Sequence, residues 1–197
     1  SYSRKPEMPL TRWPITEAGG VPVRKSLGAD QARLYFGRID ELATDDRAAL
    51  ALLASILSDR MIMTLREKEG LAYRLGANVA FSSDPDLAWF TASIGTRAEN
   101  LEAAELGIRR EMKRLVDEMA IDEEVDRIRV AVRSRSLMRR MTAVNRARYL
   151  GLRAYREVPA LEDKDFLDAM DRVGIDDLAR LAEQWLDAER FRVVVVE

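Results

Sequence analysis

The sequence contains no cysteine and no histidine. Without cysteine there are no disulfides, no thiol nucleophile, no zinc ribbon and no iron–sulfur cluster. That absence leaves the redox compartment undecided. Without histidine, every mechanism that uses imidazole as a base is excluded within this chain, as is every zinc site that needs His ligands. All-carboxylate sites for magnesium or calcium pass this filter. Also missing are an apolar run near the roughly 20 residues of a membrane span and, at the N-terminus, the apolar core of a signal peptide. There is no Gly-rich phosphate loop, G-x-S-x-G elbow or EF-hand pattern, and no internal repeat. The chain is expected to be soluble, with no membrane span, and to lie in the cytoplasm or the periplasm.

What is present suits an ordinary globular domain. The 197 residues are 47% hydrophobic and 34% charged. A chain of this length buries about 70% of its unfolded surface, so it needs no disulfide or metal staple. The net charge of −2 argues against a dedicated nucleic-acid binder, so no nucleic-acid partner is expected. Only five of the 32 basic residues are Lys. The chain begins at Ser rather than Met, which favours a piece of a longer polypeptide or a processed product.

Residues 1–20 read as a linker or interdomain segment, because Pro6, Pro9 and Pro14 forbid regular helix there. Residues 21–197 read as one domain. Residues 21–27 suit an edge strand. Residues 31–38 alternate, with Ala32, Leu34 and Phe36 on one face and Arg33 and Tyr35 on the other, as a half-buried strand does. Thr44 is placed to cap a long helix with Asp45 and Asp46 in its first turn. Leu50, Leu53, Leu57, Met61 and Leu65 then make an apolar stripe, and Gly70 stops the helix. Residues 73–81 and 87–94 alternate with period two around Asp84-Pro85-Asp86, which predicts a hairpin. Thr96 to Glu99 has the spacing of a capping box for a second helix. A third helix is expected from Asp122 to about Tyr155, then two shorter helices over 163–173 and 176–186. The last strand, 191–196, is apolar on both faces and so central. This order predicts an α+β fold, a largely antiparallel sheet with helices packed on one face.

Two features could carry function. The third helix bears Arg127, Arg129, Arg133, Arg135, Arg139, Arg140, Arg146, Arg148 and Arg153. These are either a face for nucleic acid or anionic lipid, or solvated charges offset by neighbouring acids. The second is the segment Leu65-Arg66-Glu67-Lys68-Glu69-Gly70-Leu71-Ala72-Tyr73. It joins a helix end, a Gly stop and a strand start, so a guanidinium and a phenol seven residues apart can converge across the corner. Both can donate hydrogen bonds to carbonyl oxygens. Equally, Arg66 could cap the helix and Tyr73 simply pack.

Segment 65–73 resembles a signature of the insulinase/pitrilysin superfamily of zinc metallopeptidases, which includes the processing peptidases. The similarity lies in their C-terminal half, which binds no zinc. It extends to Asp30-Gln31 before the Leu34-Tyr35-Phe36-Gly37 strand, to the helix over 46–65 with Asp59-Arg60-Met61, and to the helix starts at Thr96 and Asp122. The terminal Arg192-Val193-Val194-Val195-Val196 strand also matches, so the likeness covers about 21–197. The resemblance implies two similar α+β halves closing on a peptide substrate. The N-terminal half carries His-x-x-Glu-His; this chain, lacking His, corresponds to the other, inactive C-terminal domain. It implies that Arg66 and Tyr73 assist substrate binding, with no catalytic or metal-binding residue in this chain. Zinc is then expected in a homologous partner domain or subunit, and this chain alone is expected to be inactive. One departure is Arg74, where a small polar residue is expected. The alternatives are a purely structural or interaction module of a protease or processing complex and, less favoured, an Arg-rich nucleic-acid-binding module.

Overall fold

The computed structural model describes residues 22–26, 31–81, 87–139, 141–156 and 163–197. The linker reading of 1–20 and the Asp84-Pro85-Asp86 turn lie outside the described residues.

Five strands form one sheet: β1 (Val23–Lys25), β2 (Gln31–Glu41), β3 (Arg74–Phe81), β4 (Leu87–Arg97) and β5 (Arg192–Val196). Their spatial order is β1-β5-β2-β4-β3. Only the β1–β5 pair is parallel; the other three pairings are antiparallel. The C-terminal strand is therefore interior, as its two apolar faces predict. β1 is an edge, also as expected.

Alternation sets which face is covered. On β2, Ala32, Leu34, Phe36 and Arg38 are buried; on β4, Ala88, Phe90, Ala92, Ile94 and Thr96 are. Helices cover this face. They are α1 (Arg47–Met61), α2 (Leu101–Asp117), α3 (Asp122–Arg139), α5 (Asp163–Arg172) and α6 (Ile175–Trp185). The residues between, such as Arg33, Tyr35, Trp89 and Arg97, lie on a face left open. Phe90 and Phe191 meet edge-to-face with ring centroids 5.8 Å apart, the geometry aromatic quadrupoles prefer.

α1 is the centre of the core. Its expected stripe of Leu50, Leu53, Leu57 and Met61 is buried, and so are Leu52, Ile56 and several alanines around it. The helix is enclosed on more than one side, by β3, α2, α3, α5 and α6. By length and composition Thr44–Lys68 could cross a membrane, yet more than half of its most apolar window is buried inside the protein. It is a core helix.

Three local expectations are corrected. Thr44 does not cap α1. The chain enters through a 3-10 turn, Thr44–Asp46, preceded by Ala43, and the Asp46 carboxylate accepts from Arg180 at 3.1 and 2.6 Å instead. Thr96 does not begin a capping box. It still belongs to β4, and its hydroxyl faces the core side of the sheet. The long third helix is two helices, α3 and α4 (Ala143–Arg156). Thr142 Oγ1 accepts from the Asn145 backbone N–H at 3.3 Å, so a threonine cap restarts the helix where no Pro or Gly marks a break.

Candidate functional site

The segment 65–73 is a corner between α1 and β3. Beyond Met61 the helix widens into a π-helical stretch, Ile62–Lys68. Such stretches are rare and often lie at functional sites. Leu65 is fully buried against α2. Gly107 makes room for it, because a Cβ there would stand 2.6 Å from Leu65 Cδ2. With Leu65 anchored inward, the next residue, Arg66, points out with 53% of its side chain exposed; Glu67 pairs with it loosely at 3.4 Å.

Gly70 has φ +65°, a left-handed conformation that disfavours any side chain. It turns the chain so that the Leu71 N–H reaches back to the Leu65 carbonyl at 2.8 Å. Glu69, just before it, accepts from Arg110 of α2 at 2.5 Å. The link to β3 is then fastened to β4 at two points. Thr96 Oγ1 donates to the Leu71 carbonyl at 2.5 Å, and the Tyr73 N–H donates to the Gly95 carbonyl at 3.2 Å. Tyr73 leaves this fastened backbone with 64% of its surface exposed.

Arg66 and Tyr73 line one groove of about 470 Å³ on the open face of the sheet, together with Arg33, Tyr35, Arg74 and Ser93. The structure therefore brings the two sequence-selected residues to one place. It also adds one that the sequence reading missed. Arg97, at the end of β4, lies beside the Tyr73 side chain; its interaction with Tyr73 first, and with Glu99 second, raises its pKa above the ordinary value. A guanidinium can only donate, so the phenol oxygen is the acceptor. A phenol that accepts from a guanidinium keeps its O–H to donate elsewhere. The sequence reading ended this strand at residue 94 and set Arg97 inside a capping box, whereas β4 runs on to Arg97; nothing in the sequence linked it to Tyr73.

Thr96 is the test of how firmly the corner is held. Thr96→Val keeps the shape but removes the donor to Leu71. We expect the mutant domain to lose about 1–2 kcal/mol, the cost of leaving a carbonyl without its partner. Urea unfolding checks this.

Other regions offer less. A cavity of about 610 Å³ lies at the opposite, N-terminal end of α1, lined by Asp45, Asp46, Asp165, Asp168 and Asp177. Among the described residues no group of three His, Cys, Asp or Glu is placed to hold a metal ion. These residues do not fit a zinc site. The arginines at the start of the third helix are engaged within the domain. Arg127 is held by both carboxylate oxygens of Asp59, at 3.2 and 2.8 Å. Arg129 binds Asp126 at 2.6 Å and the Met170 and Val173 carbonyls, and Arg133 binds Asp171.

A one-sided α+β layer of this kind is the class of domain from which halves of M16 peptidases are built. The family model of the peptidase M16 inactive domain matches residues 4–132, and the chain belongs to that family. No curated protein sequence matches it. Among solved structures, a protease from Helicobacter pylori superposes with a TM-score of 0.79 at 16% identity, covering 100% of this chain and 48% of that one. The peptidase M16 inactive domain from Pseudomonas fluorescens gives 0.72 at 19% identity, over 92% and 44%. The periplasmic protease PqqL from Escherichia coli gives 0.71 at 13%, over 99% and 22%. The chain spans less than half the length of each of these proteins. The likeness inferred from segment 65–73 is thus established at the level of the family and the fold.

Proposed function

We propose that this chain is the peptide-gripping, inactive half of a zinc metallopeptidase, completing a chamber whose metal is held by a homologous half. The observation that carries this reading is the convergence of Arg66 and Tyr73, both exposed, in one groove on the open face of the sheet. A groove of donors suits a substrate rich in carbonyl acceptors, which a peptide backbone is. The Tyr73 O–H would donate to the carbonyl oxygen next to the bond being cut, where negative charge develops. Arg97, donating to the phenol oxygen, would hold that O–H outward. Arg66 would grip a second carbonyl of the same peptide. The residues of this chain bind and orient; zinc would be supplied by the other half, and no step here depends on a group this chain holds.

The test is direct. The chain alone, supplied with zinc, is expected to hydrolyse no peptide. Mixed with its zinc-bearing half, or studied within the polypeptide that contains both, it is expected to support turnover. Sustained hydrolysis by the chain alone would refute the reading. A chain that scaffolds the assembly without touching substrate would support the same turnover after Tyr73 or Arg66 is replaced.

A further inference from the structure

The floor of the groove has an arrangement that a peptide grip by itself does not require. In the β-ladder, Gly95 of β4 stands opposite Arg33 of β2 on one side and opposite Arg74 of β3 on the other. Residues directly opposite share a face, so the three lie in a row on the open side of the sheet. Strands are spaced about 4.8 Å apart, which puts the two arginine backbones about 10 Å from one another across the glycine. The middle position has no side chain. Two exposed guanidinium groups thus flank a bare notch. Arg66 stands over the same groove, and Arg97 is the next residue of β4 on this face.

The charge of the site is unbalanced. No Asp or Glu lines the groove. Arg66 and Arg97 have long, exposed contacts to Glu67 at 3.4 Å and Glu99 at 3.5 Å. Arg33 and Arg74 make no ion pair with any described residue. Two cations held near each other without a counter-ion repel, and a ligand carboxylate between them removes that cost. A guanidinium also matches a carboxylate geometrically, through two parallel N–H donors. The surrounding Asn78, Thr91 and Ser93 add neutral donors and bring no competing negative charge.

We propose that the Arg33–Gly95–Arg74 row is a carboxylate-binding subsite, and that this groove selects acidic peptides. The inference rests on the peptide-gripping reading above and narrows its substrate class. The carboxylate is supplied either by an Asp or Glu side chain or by a peptide C-terminus.

Peptides matched except for one residue, placed in turn at each position around the cleavage site as Glu, Gln or Lys, test this. Each is made as the free acid and as the C-terminal amide. Two quantities are measured: kcat/KM with the assembled peptidase, and binding of labelled peptides to this chain by fluorescence anisotropy. At one position the Glu peptide is expected to exceed the Lys peptide about tenfold at low salt, a ratio within reach of two exposed ion pairs that become like-charge contacts with Lys. The ratio should shrink towards one near 1 M salt, where the Debye length is about 3 Å. Arg33→Glu with Arg74→Glu is expected to invert the ratio, and Arg33→Gln with Arg74→Gln to flatten it. Arg135→Glu, on α3 beyond the other face of the sheet, changes the net charge and should leave the ratio where it was. A preference that follows the free terminus instead of the side chain identifies the C-terminus as the source. Equal rates and affinities for Glu, Gln, Lys, acid and amide overturn the subsite while leaving the peptidase reading standing. Acidic peptides that bind this chain but are never cut by the assembly leave the subsite and remove the peptidase reading.

Discussion

Tyr73→Phe in the assembled peptidase is expected to lower kcat about 10²-fold, with KM little changed. The substitution removes one oxygen from a side chain that is 64% exposed. It disturbs no packing, and its expected effect on stability is below about 0.5 kcal/mol. The oxygen is nevertheless carried by a backbone fixed by Gly70, Thr96 and Gly95, and on the proposed reading it would donate to the carbonyl at the bond being cut. Removing a single preorganised donor to a developing oxyanion costs about 3 kcal/mol of transition-state stabilisation. A donor that acts mainly in the transition state shows its loss in kcat. Arg66→Ala should differ in kind. On the proposed reading its guanidinium would grip the substrate in ground and transition states alike, so KM should rise as well, and Arg66→Lys should recover part of the loss. Thermal melts of each variant separate these effects from unfolding. Wild-type kinetics in both would return the domain to a scaffolding role.

The parts of this molecule that were legible in its sequence are those written by local pattern. Alternation at 31–38 and 87–94 set both the strands and their buried faces, because a period of two maps directly onto a sheet with one covered side. The corner at 65–73 was legible because Gly70 marks a turn that only a left-handed residue makes easily. The seven-residue spacing allowed Arg66 and Tyr73 to share a groove, and equally allowed Arg66 to cap the helix and Tyr73 simply to pack; the tertiary structure decided between them. The misreadings share a different cause. Thr44 and Thr96 both have the spacing of helix caps, yet neither side chain caps its helix, and polar groups at both starts answered to partners far away in the chain. Asp46 turned to Arg180, and Thr96 turned to Leu71. A cap contributes only about 1 kcal/mol, so a good tertiary hydrogen bond displaces it. The Arg33–Gly95–Arg74 row was invisible for a stronger reason. It is assembled from three strands, and their register is a tertiary fact that no single segment contains.

Arg38→Ala is expected to destabilise the domain by about 3 kcal/mol, the largest loss among its polar residues. By strand parity Arg38 shares the core face with Leu34 and Phe36, and it is 3% exposed. A charge survives there because the C-terminal end of α6 comes down onto it. Its guanidinium donates to the Gln184 and Trp185 carbonyls at 2.8 and 2.9 Å and to Asp40 Oδ2 at 2.6 Å. Its plane lies over the Trp185 ring, 4.9 Å from the centroid. The last carbonyls of a helix have no partner within the helix. In water that is harmless; buried under a sheet it costs about 1–3 kcal/mol for each group. Alanine would strand the buried Trp185 carbonyl, leave the part-buried Gln184 carbonyl to water, and uncover one side of the tryptophan. Asp40 would suffer less, since Arg190 also reaches it at 3.1 Å and the Glu41 N–H donates to it. For a domain of this size, about 3 kcal/mol corresponds to a fall in Tm of about 6–12 °C. Arg190→Ala, which removes an exposed partner of the same aspartate, should cost less than about 1 kcal/mol. If the two variants melt together, the carbonyls of α6 are satisfied in some other way and Arg38 does not hold α6 to the sheet.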